Sequence, residues 1–84
     1  MKEILKYPLI SEKAVKLIDK ENTIVFIVGD KANKVEIKRE FEKLYGVKVE
    51  KVRTCTTKKG EKKAYIKIAR EYKARDIASK LGVL

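Results

Sequence analysis

The chain has 84 residues, 44% hydrophobic and 40% charged, and its 22 Lys and Arg against 12 Asp and Glu leave a net charge of +10. That composition excludes a disordered chain and a membrane-spanning one, and so short a sequence buries only roughly 60 to 65% of the surface it exposes when unfolded. With no histidine and a single cysteine, Cys55, it offers no internal disulfide, no zinc ligand set and no imidazole base, so neither a metal nor a cofactor is expected.

Residues Met1 to Tyr7 read as a short lead without the apolar segment of a signal peptide, which predicts an intracellular protein. Pro8 fixes an extended entry to the first helix. Ser11 is placed as its N-cap, Ala14, Leu17 and Ile18 form an apolar stripe, and Ile10 is positioned to staple onto Val15. Asn22 supplies a stop. Thr23 to Val28 is β-branched and aromatic, apolar on both faces, and bounded by Asn22 and Gly29-Asp30, as a central strand should be. After the loop Asp30 to Asn33, Asn33 and Glu36 have capping-box spacing. Ile37, Phe41 and Leu44 give the next helix its core stripe, and Gly46 its end. Lys34, Lys38 and Lys43 alternate with Glu36, Glu40 and Glu42 on what reads as a solvated face.

Val47 to Arg70 holds nine basic residues against two acidic, a net +7, most of the charge of the chain. Its runs Val47 to Thr57 and Lys62 to Ala69 flank a Lys-Lys-Gly-Glu turn and predict a β-hairpin. Val47 and Val49 share a face while Val52 is out of phase, which a bulge near Glu50-Lys51 would correct. Ala64, Ile66 and Ile68 point one way and Lys63, Tyr65 and Lys67 the other, with Cys55 read as a small half-buried strand residue. Ala74, Ile77, Ala78 and Leu81 then repeat at helical spacing before Gly82, and Val83-Leu84 could add a stub of edge strand. The order implies an α+β, ferredoxin-like split βαβ fold: βαββα with an extra N-terminal helix, an antiparallel-rich sheet and helices on one face.

Residues 1–30 hold five basic and five acidic groups, whereas residues 31–84 hold seventeen and seven. A neutral part joined to a basic part suggests a polyanion on one side of the molecule and a different partner on the other. No nucleophile with a base, carboxylate pair or metal set supports an enzyme; Ser11 and Thr54 read as a cap and as a strand or phosphate-contacting residue. An acylphosphatase-like enzyme on this fold would need a phosphate-binding glycine loop opening a helix, which the chain lacks. Lys58, Lys59, Lys62 and Lys63 around the turn, with Lys67 beyond them, are candidate phosphate contacts. The third-strand signature of the RNA recognition motif retains one stacking ring, Tyr65, so contacts to the backbone and shape of folded RNA are favoured over a platform for single-stranded bases.

Three stretches resemble the universal large-subunit ribosomal protein family numbered twenty-three, in its short archaeal form. They are Pro8-Leu9-Ile10-Ser11-Glu12-Lys13-Ala14, Asp30-Lys31-Ala32-Asn33-Lys34-Val35-Glu36-Ile37-Lys38 and Lys62-Lys63-Ala64-Tyr65-Ile66-Lys67-Ile68. The resemblance implies a structural, ribosome-bound cytoplasmic protein, with residues 1–84 as one rRNA-binding domain beside the exit of the peptide tunnel. It implies as partners large-subunit rRNA, neighbouring ribosomal proteins, and factors that meet emerging chains. By position, Lys13, Asn33, Lys34, Lys38, the Arg53-Thr54 segment and Lys62-Lys63 would contact RNA, and Glu12 would dock factors. Bacterial members carry a long hairpin extension where this chain has only Thr57 to Glu61, which counts against a tunnel-lining role. They also carry a second acidic docking position where this chain has Gly46, which points to signal recognition particle or a nascent-chain complex rather than a bacterial trigger factor. The other reading of the same features is a free-standing small RNA-binding protein of ferredoxin-like fold.

Overall fold

Six consecutive buried residues, Thr23–Val28, form the strand about which the other elements assemble in the computed structural model, which describes residues 3–82. In chain order the elements are β1 (Leu5–Pro8), α1 (Glu12–Glu21), β2 (Thr23–Val28), α2 (Lys34–Tyr45), β3 (Val49–Thr56), β4 (Lys62–Ile68) and α3 (Ala74–Leu81). The four strands make one antiparallel-paired sheet in the order β1-β2-β4-β3. β2 and β3 both run antiparallel to β4 between them, so β2–α2–β3 is the split crossover of a ferredoxin-like α+β fold.

Alternation sorts each strand between two faces. Ile24, Phe26 and Val28 of β2, Ala64, Ile66 and Ile68 of β4, and Val49 and Val52 of β3 join Ile37 and Phe41 of α2 and Ile77 and Ala78 of α3 in the core. Phe41 meets Phe26 edge-on at 5.7 Å between ring centroids and Tyr45 at 4.6 Å, favourable aromatic geometries. The predicted bulge is present as a register shift between Val49 and Lys51, which brings Val49 and Val52 to the same side.

The helix ends follow local chemistry. Ser11 accepts from the Ala14 N–H at 3.1 Å, and Asn33 and Glu36 exchange both capping-box bonds at 2.8 and 3.1 Å. Asn22 closes α1 in the left-handed conformation with φ 52°, and its side chain does more. Its amide nitrogen donates to the carbonyls of Ile68 and Tyr72, both at 3.0 Å, and its Oδ1 accepts from the Ala74 N–H at 2.7 Å. Lys73, the N-cap residue of α3, supplies no side-chain cap, so Asn22 caps that helix from across the fold.

Several expectations are corrected. The end of the N-terminal lead is a strand: β1 (Leu5–Pro8) pairs with β2, and a Leu9 N–H to Val25 carbonyl bond at 2.9 Å extends the pairing. The stripe of α2 that meets the sheet follows fourth-residue spacing through Ile37, Phe41 and Tyr45, which turns Leu44 outward at 59% exposure. Ile10 is 66% exposed, and no staple buries it. Cys55 is exposed because it lies on β3, an outer strand of the sheet. Val47 precedes β3 and packs against the core from the connecting loop. The suggested strand stub at Val83-Leu84 lies outside the described residues.

Candidate nucleic-acid interface

The face of the sheet turned away from α2 and α3 is built by cross-strand register. Thr23, Lys67 and Lys51 lie in one row, Val25, Tyr65 and Arg53 in the next, and Ile27, Lys63 and Cys55 in the third. Val25 and Ile27 are buried, Tyr65 and Lys63 half-buried, and Lys51, Arg53 and Lys67 exposed, so the cations stand towards the β3 side of an apolar floor. The Arg53 guanidinium lies 5.3 Å from the Tyr65 ring centroid, a cation–π arrangement that leaves its outward edge able to meet an anion. Partial burial pushes the Tyr65 phenol above its ordinary value, with Cys55 adding to the shift and Arg53 opposing it. Lys67 pairs with Glu50 at 3.4 Å with both side chains about half exposed, a contact solvent screens heavily.

Of the residues expected to bind RNA, Lys63, Arg53 and Lys67 share this face, and Lys13 reaches it from α1, lining a hollow with Lys63 and Tyr65. Lys62 and Thr54 do not share it, because strand alternation turns them towards the helix layer. There the Lys62 ammonium donates to the Ala32 carbonyl at 2.7 Å, tying β4 to the loop before α2. Asn33 is committed through Oδ1 to capping α2, and Lys34 and Lys38 are exposed on that helix, apart from the open face.

Lys58 and Lys59 occupy the hairpin tip, exposed and without an ion pair among the described residues. The tip is ordered by the Thr57 N–H to Glu61 carbonyl bond at 2.7 Å, the Glu61 N–H to Thr57 Oγ1 bond at 3.2 Å, and Gly60 at φ 86°, where a side chain would be strained. Tyr7 of β1 donates to Glu61 Oε2 at 3.0 Å, and that bond is the main cause holding its phenol above the ordinary value.

Sequence reading missed Lys51 as a member of the cationic face, although its register after the bulge would have placed it there. Glu12 stands in the first turn of α1 with its side chain 85% exposed, paired at 3.5 Å with Lys16 one turn on. No described helix is long and apolar enough to cross a membrane, and the described residues hold no cluster of metal-ligating side chains.

Comparison with known proteins brings these features together. The sequence profile described as Ribosomal protein L23 matches residues 3–78. The large ribosomal subunit protein uL23 of Pyrobaculum aerophilum is 52% identical over 81 residues, which cover 96% of this chain and 100% of that relative.

Proposed function

The chain belongs to the ribosomal protein L23 family, and from that premise we propose that it is a non-catalytic component of the large ribosomal subunit that binds large-subunit rRNA beside the polypeptide exit tunnel. The observation that supports RNA binding most directly is the set Lys51, Arg53, Lys63 and Lys67, gathered by register on one face of a rigid strand pair. Cross-strand pairing fixes the spacing of the backbone positions that carry the four cations, so they serve as positioning contacts on a phosphate backbone and not as readers of sequence. The hairpin connection, residues 57–61, is five residues long, which counts against a tunnel-lining role. Glu12, exposed in the electrically balanced N-terminal part, is the proposed docking point for signal recognition particle or a nascent-chain complex on the cytoplasmic ribosome.

Two measurements test this. Cosedimentation should recover the protein with large subunits; recovery only in the free pool would sink the ribosomal reading. Replacing Lys51, Arg53, Lys63 and Lys67 by glutamine should flatten the dependence of log affinity on log salt by about 3 units, since each neutralised phosphate contributes roughly 0.7 to 0.9. The same treatment of Lys34 and Lys38 should change it less, and the reverse order would move the RNA to the helix face.

A further inference from the structure

Between α1 and the open sheet face lies a hollow of about 150 Å³, walled by Leu9, Leu17 and Val25 and by the half-buried ring of Tyr65, with Lys13 and Lys63 at its margin. We propose that this hollow receives one unstacked nucleobase of the bound RNA, while Lys13 and Lys63 hold the phosphates beside it. The inference rests on the rRNA-binding reading and deepens it.

The volume admits a single planar ring system but not a helix or a run of stacked bases. The walls suit a π-face: the aliphatic side chains of Leu9, Ala14, Leu17 and Val25 and the Tyr65 ring, beside a Ser11 hydroxyl that already caps α1, bind any base without distinguishing its edges. The margin argues against an apolar protein side chain, because two ammonium groups there would lose hydration without gaining a partner. A nucleotide resolves that conflict by bringing its own negative charge on either side of the inserted base. The single ring also fits folded RNA, in which an isolated unpaired base leaves the stack while its neighbours stay paired. Tyr65 is held for the role, since Arg53 packs over it from the β3 side and Val25 is its register partner on β2.

The test is base-resolved chemical probing of large-subunit rRNA fragments bound by the whole chain, comparing wild type with Tyr65→Ala, Tyr65→Phe and Leu17→Trp. Wild type and Tyr65→Phe should protect one unpaired nucleotide that stays reactive in the Tyr65→Ala complex. Affinity should fall about 5- to 150-fold in Tyr65→Ala, the range expected for loss of one base–aromatic stack, with the salt slope retained because no charge is removed. Leu17→Trp, which fills the hollow from the helix side, should lose the same protection. Unchanged protection in Tyr65→Ala, or in Leu17→Trp should the former fail to fold, overturns the base site and leaves rRNA binding standing. Weakened contact with a protein neighbour in place of exposure of a base overturns it as well. Failure of the wild type to bind any large-subunit rRNA fragment overturns both readings together.

Discussion

Replacing Asn22 by alanine should destabilise the protein far more than a surface substitution between a helix and a strand would suggest. Three short side-chain hydrogen bonds disappear, to the carbonyls of Ile68 and Tyr72 at 3.0 Å and from the Ala74 N–H at 2.7 Å, together with a long one to the Ala69 carbonyl at 3.5 Å. At roughly 0.5 to 1.5 kcal/mol net for each short bond, and with the last also a cap for α3 that Lys73 does not supply, their loss costs about 2 to 3 kcal/mol. Alanine must also hold the left-handed backbone at φ 52°, which asparagine tolerates better, adding about 1 kcal/mol. The sum, about 3 to 4 kcal/mol, corresponds to a fall in Tm of roughly 12 to 30 °C for a domain of this size. Asn22→Gly removes the backbone cost but not the lost bonds, so the stability order should be wild type, Gly, Ala. Thermal and urea unfolding followed by far-ultraviolet circular dichroism would measure it. An alanine variant within about 0.5 kcal/mol of wild type, or no less stable than the glycine variant, would refute the reasoning.

Further outcomes follow from single contacts. Lys58→Gln with Lys59→Gln should flatten the salt slope of rRNA binding by up to about 2 units, and an unchanged slope would show that the tip lysines are only solvated. Glu12→Ala removes an exposed ion pair of small worth, so stability and subunit assembly should hold while recruitment of exit-site factors drops; an assembly defect would make the residue structural. Tyr7 titrates above the ordinary 10.0 because Glu61 accepts its proton's hydrogen bond, so the bond's contribution is present below that pH and lost as pH rises through the raised value. In a spectrophotometric titration the difference between wild type and Tyr7→Phe isolates the Tyr7 phenol, and Glu61→Gln should shift that phenol earlier; a Glu61→Gln profile identical to wild type would show that the bond does not form in solution.

What could be read from the sequence was encoded within a few residues of itself. The Ser11 cap, the Asn33–Glu36 capping box, the glycine stops and the apolar run of β2 carry their cause in adjacent positions. The bulge was legible because Val49 and Val52 cannot both face a core in an unbroken strand. β1 was not legible: Leu5–Pro8 is too short to show alternation and ends in proline, and its strand character comes from covering the edge that β2 would otherwise expose. Nor was the second role of Asn22, whose partners lie 46 to 52 residues away. The basic hairpin was visible as a candidate site, but not the hollow beside Tyr65, which needs α1 to lie against β2 and expose Leu17 to the sheet's open side.

The same alternation constrains how RNA can use the hairpin. Lys62 and Lys63 are adjacent in the chain, as are Arg53 and Thr54, yet each pair divides between opposite faces of the sheet. A flat RNA surface laid on the open face would reach Lys63 and Arg53 and miss Lys62 and Thr54. The Lys62 ammonium is in any case engaged with the Ala32 carbonyl, so it acts by fixing the loop before α2. β3, however, is an outer strand, and among the described residues no element pairs with its free edge. An RNA groove that wraps this edge could meet Arg53 on one side and Thr54 on the other, with Lys58 and Lys59 at its end, using both faces without moving the sheet. On that geometry the RNA contacts should divide by distance from the β3 edge and not by proximity in sequence. Charge removal at Arg53 should therefore weaken binding more than removal at Lys62, although both lie in the basic hairpin.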